Sequence, residues 1–205
     1  MGNKVCLYGA SGHAKVVAEV FRSQDVIITA VVDDNPKTDV LLSIPVYNSK
    51  KFFFSEQTEW LIGIGNNKTR KRIVEKLALT YISAFHAKAV VSPSSMIGWG
   101  TVVMAGTVIN AEVSIGNHCI INTNATIEHD CQLADYVHIS PNAALAGNVI
   151  VGEGTHIGIG ASIIQGVVIG KWATIGAGSV IIKDVPDYAT VVGNPGKIIK
   201  MSTHE

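Results

Sequence analysis

Residues 113–136 read VSIGNH CIINTN ATIEHD CQLADY. Ile115, Ile121, Ile127 and Leu133 recur at every sixth position, and two residues before each stands a small or β-branched one: Val113, Cys119, Ala125 and Cys131. Outward in both directions the frame holds without insertion, from Val91, Ile97, Val103 and Ile109 through Ile139, Leu145, Val151, Ile157, Ile163, Ile169, Ile175 and Ile181. An amphipathic helix repeats its apolar residues at three and four and a half-buried strand at two, so a strict six fits neither. It fits a parallel β-helix in which each hexad forms one side of a triangular coil, and coils stack at the strand spacing of ~4.8 Å. The aliphatic residues then form internal ladders, and Cys119 and Cys131 sit inward as core rather than as reactive thiols. Glycine often follows the aliphatic residue, as at Gly98, Gly116, Gly152 and Gly170, where a tight corner calls for a residue without a Cβ.

The first 85 residues carry a different pattern. KVCLY at 4–8 reads as a buried strand, GASGHA at 9–14 as a glycine turn, and 15–22 as an amphipathic helix. A second strand over 26–32 ends in DDNP (33–36), and a third over 60–64 leads into GNNKTR (65–70) and a helix near 71–79. Strand, glycine turn, helix, strand is a Rossmann-like half, whose ligands are expected at the carboxyl ends of the strands. Gly9 and Gly12 let backbone approach a phosphate, and the helix that follows favours negative charge at its N-terminus. The match to a dinucleotide fingerprint is poor, because the third glycine is missing and no group for hydride chemistry is visible.

Composition excludes several classes. The 205 residues carry no formal net charge, with 47% hydrophobic and 16% charged residues, so there is a sizeable core and no electrostatic footprint for nucleic acid or an anionic membrane. Lys68, Arg70, Lys71 and Arg72 read as the solvated face of a helix start. Three cysteines without a CxxC pair indicate neither a disulfide framework nor a zinc site. No signal-peptide pattern and no apolar run of the roughly 18 residues that a spanning helix needs is present, so the expectation is a soluble, cytoplasmic protein.

Taken together, GASGH near the start, VDDNP after the second strand, IGNNKTR after the third, EHDC inside the hexapeptide repeats and VGNPGK at 192–197 closely resemble bacterial nucleotide-sugar acetyltransferases of the PglD-like and NeuD-like kind. The resemblance covers almost the whole chain. It implies a Rossmann-like nucleotide-sugar-binding domain over 1–85, a left-handed β-helix acetyltransferase domain over 86–185, and a segment over 186–205 that closes over coenzyme A. It implies acetyl transfer from acetyl-CoA to the amine of a nucleotide-linked 4-amino sugar, with UDP preferred, in a homotrimer whose active sites lie between subunits and need no metal. His129 becomes the general base and Asp130 the carboxylate that sharpens it, in a position where relatives often carry Glu. An attacking amine must lose a proton as it adds to the thioester, and imidazole titrates near working pH. By the same resemblance Ser11, Gly12, His13, Asp33, Asp34, Gly65 and Asn66 hold the nucleotide sugar. His138 contacts acetyl-CoA, Gly147 offers its amide to the thioester carbonyl, and Gly158, Ile159, Gly176 and Ala177 line the pantetheine groove. Competing readings are O-acetylation of sialic acid, N-acetylation of GDP-perosamine and a non-catalytic sugar-nucleotide-binding subunit. A γ-type carbonic anhydrase would need a histidine pair five residues apart, which His118, His129, His138 and His156 do not supply.

Overall fold

The computed structural model describes residues 4–202. The N-terminal unit is a six-stranded sheet in the order β3-β4-β2-β1-β5-β6, built from β1 (Lys4–Tyr8), β2 (Ile28–Asp33), β3 (Val40–Leu41), β4 (Ile44–Asn48), β5 (Thr58–Ile62) and β6 (Thr80–Tyr81). All neighbours run parallel except the β3 and β4 hairpin. The Rossmann-like reading therefore holds, with shifted edges. Helix α1 spans Gly12–Arg22 and begins inside the stretch read as a turn, because Ser11 at the N-cap is already extended and the chain coils at once. Helix α2 spans Asn67–Lys76 rather than 71–79, since Asn66 caps it by accepting from the Thr69 N–H at 2.9 Å. The short strands β3 and β4 had no sequence signal strong enough to be read.

Beyond them the frame of six is borne out. Two-residue strands recur at every hexad from Val90–Val91 to Val180–Ile181 and pair in parallel with the strand eighteen residues on, giving three faces. Face one carries Val102–Val103, Ile120–Ile121, His138–Ile139, His156–Ile157 and Thr174–Ile175. Face two runs through Thr126–Ile127 and Ala144–Leu145, and face three through Gln132–Leu133 and Ile150–Val151. The ladder on face one starts earlier than the repeat, at Ala84–Phe85, and ends in an antiparallel hairpin of Ala189–Val192 and Lys197–Met201. Inside, the aliphatic and small positions make one apolar cluster, including fully buried Cys119 and Cys131. Burial pushes the Cys119 thiol up to about 12, which keeps it an inert core group.

The corners correct one physical reason. Glycines directly after the aliphatic residue have no left-handed φ; a Cβ at Gly152 would instead meet the backbone nitrogen of Lys171 in the next coil at 2.5 Å. Close stacking of coils, not conformation, excludes the side chain. The left-handed residue is the sixth of each hexad from Gly100 to Gly178, as at Asn124, Asp130, Tyr136, Asn142 and Asn148, with φ between 57° and 61°.

The two units share a core. Val102, Met104 and Ile120, on the outer surface of face one, pack into the apolar cluster of Ala14, Val17, Phe21 and Val31. Along face one the outward ladder thus runs Ala84, Val102, Ile120, then His138, His156 and Thr174. It is apolar where α1 covers it and polar where the cover ends, and a cleft opens at that change.

Candidate active site

At the carboxyl ends of the strands, the Gly9–Ser11 turn is braced by Asp33, whose Oδ2 accepts from the Ala10 N–H and Oδ1 from the Asn35 N–H, both at 2.8 Å. Asp34 Oδ1 accepts from the Tyr8 and Ser49 hydroxyls at 2.6 Å, and these bonds hold its carboxyl below the usual range. Ser11 makes no capping hydrogen bond, and a Cβ on Gly12 would meet nothing within 4 Å, so the start of α1 is open. By contrast Gly9, at φ 106°, is packed against Ile64, which makes its role structural. The N-termini of the two helices adjoin: a Cβ on Gly65 would lie 3.8 Å from His13 Cγ.

His13 stands 6.2 Å from His138 between ring centroids, and His138 stacks on His156 at 4.8 Å and 10°. His138 is 9% exposed, at the covered end of the polar part of the outward ladder. Its Nε2 is 3.2 Å from Asn122 Nδ2, while Nδ1 has no hydrogen-bond partner, and Ser140 Oγ meets His156 Nε2 at 2.8 Å. Burial drives His13 down to about 4 and His138 to about 3, so both rings are neutral at physiological pH. Together with Gly65, Asn66, Asn67, Lys68, Trp172 and Thr174, the His138–His156 pair lines a cleft of about 460 Å³. Sequence reasoning missed Asn67, Lys68, His156 as a lining group, and Trp172, whose ring lies over Gly154 where a Cβ would collide at 2.4 Å.

His129 lies elsewhere. Its Nδ1 is 2.6 Å from Asp130 Oδ2, both side chains are open to solvent, and the carboxylate holds the imidazole above its ordinary range. Glu128 contributes a weaker charge effect of the same sign. Eighteen residues on, Gly147 passes directly beneath: a Cβ there would come within 2.6 Å of His129 Cε1. The His129 ring therefore rests on bare backbone.

The three faces sort these residues. His129, Asp130 and Gly147 follow strands of face two and turn the corner into face three. Gly158, Ile159, Gly176 and Ala177 follow strands of face one and turn the corner into face two. His138 and the cleft lie on face one. In a triangular coil the corner between faces two and three is opposite face one, so a single chain keeps its His129 away from its own cleft. Among the described residues, no group of three or more His, Cys, Asp or Glu side chains could hold a metal ion, and no helix is long and apolar enough to cross a membrane.

Arg70 is the main correction to the sequence reading. Instead of belonging to a solvated basic face, it is 1% exposed and hydrogen-bonds to carbonyls of the β-helix. Its neighbour Lys71 does reach the surface, in an ion pair with Glu153 at 2.5 Å.

Comparison with known proteins places these features in context. Residues 4–77 match the PglD N-terminal domain, and 112–147 and 148–183 match the bacterial transferase hexapeptide (six repeats). UDP-N-acetylbacillosamine N-acetyltransferase of Bacillus subtilis is 43% identical over 110 residues, covering 49% of this chain and 51% of that protein. The match thus spans about half the length of that curated relative. Among solved structures, a variant of the perosamine N-acetyltransferase of Caulobacter crescentus, in complex with CoA and GDP-perosamine, is 38% identical, with a TM-score of 0.90 over 96% of this chain and 97% of that one. The acetyltransferase domain of PglB from Neisseria gonorrhoeae, in complex with acetyl coenzyme A, is also 38% identical, with a TM-score of 0.90 over 97% of this chain and 100% of that one.

Proposed function

This chain belongs to the PglD-like hexapeptide-repeat family of bacterial nucleotide-sugar acetyltransferases, and from that premise we propose that it moves acetyl from acetyl-CoA to the amino group of a nucleotide-linked 4-amino sugar. The observation that carries the reading is the solvent-open His129–Asp130 pair resting on Gly147. It supplies an imidazole that, in its neutral form, can take a proton from the attacking amine, with a carboxylate at 2.6 Å to orient the ring and stabilise the imidazolium. Asp130, where relatives often carry Glu, still makes the contact to His129.

The nucleotide sugar occupies the region between Ser11, Gly12, His13, Asp33, Asp34, Gly65 and Asn66, where two helix N-termini favour its diphosphate. Acetyl-CoA lies along the corner of Gly158, Ile159, Gly176 and Ala177, with its thioester near His138. A homotrimer reconciles the opposed corners: each face-one cleft receives His129, Asp130 and Gly147 from a neighbour, and the Gly147 N–H is positioned for the thioester oxygen. The tetrahedral adduct then collapses, expelling the thiolate of coenzyme A, which takes a proton. The protein works in the cytoplasm.

UDP is the preferred base, on the Bacillus match; GDP is the second reading, because the Caulobacter relative, in complex with GDP-perosamine, matches nearly the whole chain. A thermal-shift panel of UDP-, GDP- and CMP-linked amino sugars, followed by thiol release from acetyl-CoA, separates them. Saturation at a hundred times Kd stabilises by about 2.7 kcal/mol. Thiol release that depends on one nucleotide amino sugar supports the reading, and release that depends on none refutes it.

A further inference from the structure

Arg70 sits in the first turns of α2, buried to 1% exposure, and every one of its donors is committed. Nε donates to the His118 carbonyl at 2.7 Å and Nη2 to the Tyr136 carbonyl and Asn67 Oδ1, both at 2.9 Å. Nη1 donates to the carbonyls of Ile64 at 3.1 Å and Gly65 at 3.2 Å. These acceptors are all neutral, and no ion pair of Arg70 with a carboxylate occurs among the described residues. A buried charge is ordinarily matched by an opposite one, because desolvating it alone is costly.

The acceptors fall into two groups. Ile64, Gly65 and Asn67 belong to the turn whose other side lines the cleft. His118 and Tyr136 are left-handed corners of successive coils, and Asn67 Nδ2 reaches the next coil at the carbonyls of Gly154 (3.0 Å) and Thr155 (3.3 Å). Arg70 and Asn67 thus register the turn against consecutive coils. A lysine, with one ammonium in place of the planar fork, reaches only part of this set.

We propose that Arg70 is a positioning residue for the nucleotide-sugar cleft: it fixes the Ile64–Asn67 turn on the β-helix and leaves an unneutralised positive charge beneath a site that receives a diphosphate. This rests on the assignment of that cleft to the nucleotide sugar. The diphosphate is the counter-charge that the protein itself omits, so the cleft favours a dianionic ligand over an uncharged sugar.

The test uses full-length Arg70→Lys and Arg70→Met, with steady-state constants for the UDP-linked 4-amino sugar and for acetyl-CoA beside thermal stability. Loss of the fork misplaces the turn, so KM for the nucleotide sugar rises about tenfold in Arg70→Lys and about a hundredfold in Arg70→Met, while KM for acetyl-CoA stays within about twofold. A fall in thermal stability with both KM values unchanged, or a parallel rise in both, overturns the proposal. Should Arg70→Met not yield soluble protein, Asn67→Ala removes one acceptor and both contacts to Gly154 and Thr155; it is expected to raise the same KM alone, and an unchanged KM overturns the proposal. A wild type that turns over acetyl-CoA with a nucleotide sugar of another base moves the measurement to that substrate; one that turns over none defeats the functional reading as well.

Discussion

His129 is held by its neighbour in sequence rather than by the coil around it, which makes its chemistry separable from the fold. His129→Ala is expected to lower kcat by roughly two to four orders of magnitude, the usual span for a lost general base, without changing thermal stability. Activity near that of the wild type would remove it from the mechanism. The pH profile carries a sign that can be worked out. The base must be neutral, and Asp130 holds it above the ordinary imidazole range, so activity is lost as pH falls through that raised value. In Asp130→Asn the hydrogen-bonded carboxylate is gone, and the acid limb of kcat/KM moves to lower pH; an unmoved limb would show that another group titrates. Gly147→Ala brings a Cβ to 2.6 Å from the ring and should displace it, with a loss of kcat in a protein that still folds. At this scale the His129–Asp130 pair was legible as adjacent ionisable residues in an apolar repeat, whereas Gly147 entered only through the family resemblance, although it lies one coil of eighteen residues away. Arg70 was not: its partners are backbone carbonyls 48 and 66 residues distant, and no residue pattern announces a carbonyl.

Among the elements, the coil is the one that composition dictates most fully. Each hexad contributes one inward aliphatic side chain, so a single frame satisfies every coil, and Ile139→Asp would bury a carboxylate with no partner inside it. Soluble expression of that variant at the wild-type level would mean that the frame is wrong. Where the small inward position is threonine, the hydroxyl replaces packing with hydrogen bonds: Thr155 Oγ1 donates to the Gly170 carbonyl at 2.6 Å and accepts from the Ala173 N–H at 3.0 Å. Thr155→Val strands both groups inside the coil and should cost about 1–3 kcal/mol in denaturant unfolding. A neutral result would show that the coil relaxes around the loss. The N-terminal elements were harder to bound. GASGH looks like a loop by composition, yet α1 starts within it, at Gly12 directly after the extended Ser11. Strand β3 has only two residues, and of these only Leu41 is buried in the core, which leaves no periodicity to read.

For the whole molecule, the outward ladder on face one links fold to function. Its apolar start anchors α1 and its polar continuation makes the cleft, so the two units cannot be treated as independent modules. The same junction is expected to be sensitive to acid. His13, His118 and His138 are pushed down to about 4, about 4 and about 3 by burial. The unfolded chain binds protons there first, so stability is complete above the ordinary value of 6.5 and is lost as pH falls toward the folded values. Thermal stability measured from pH 7 downward should fall across that window, and less steeply in His138→Gln; a flat profile would place these rings in contact with water. Each active site is expected to join the His129 corner of one subunit to the face-one cleft of another. This is tested by mixing His129→Ala with Ala177→Trp, which blocks the coenzyme A corner, after dissociation and reassembly. Each parent trimer is inactive. In random reassembly three-quarters of trimers are mixed and one site in three of those is intact, so about a quarter of wild-type activity should return. Activity that stays at the level of the parents in trimers shown to be mixed would place both corners in one chain and contradict the account.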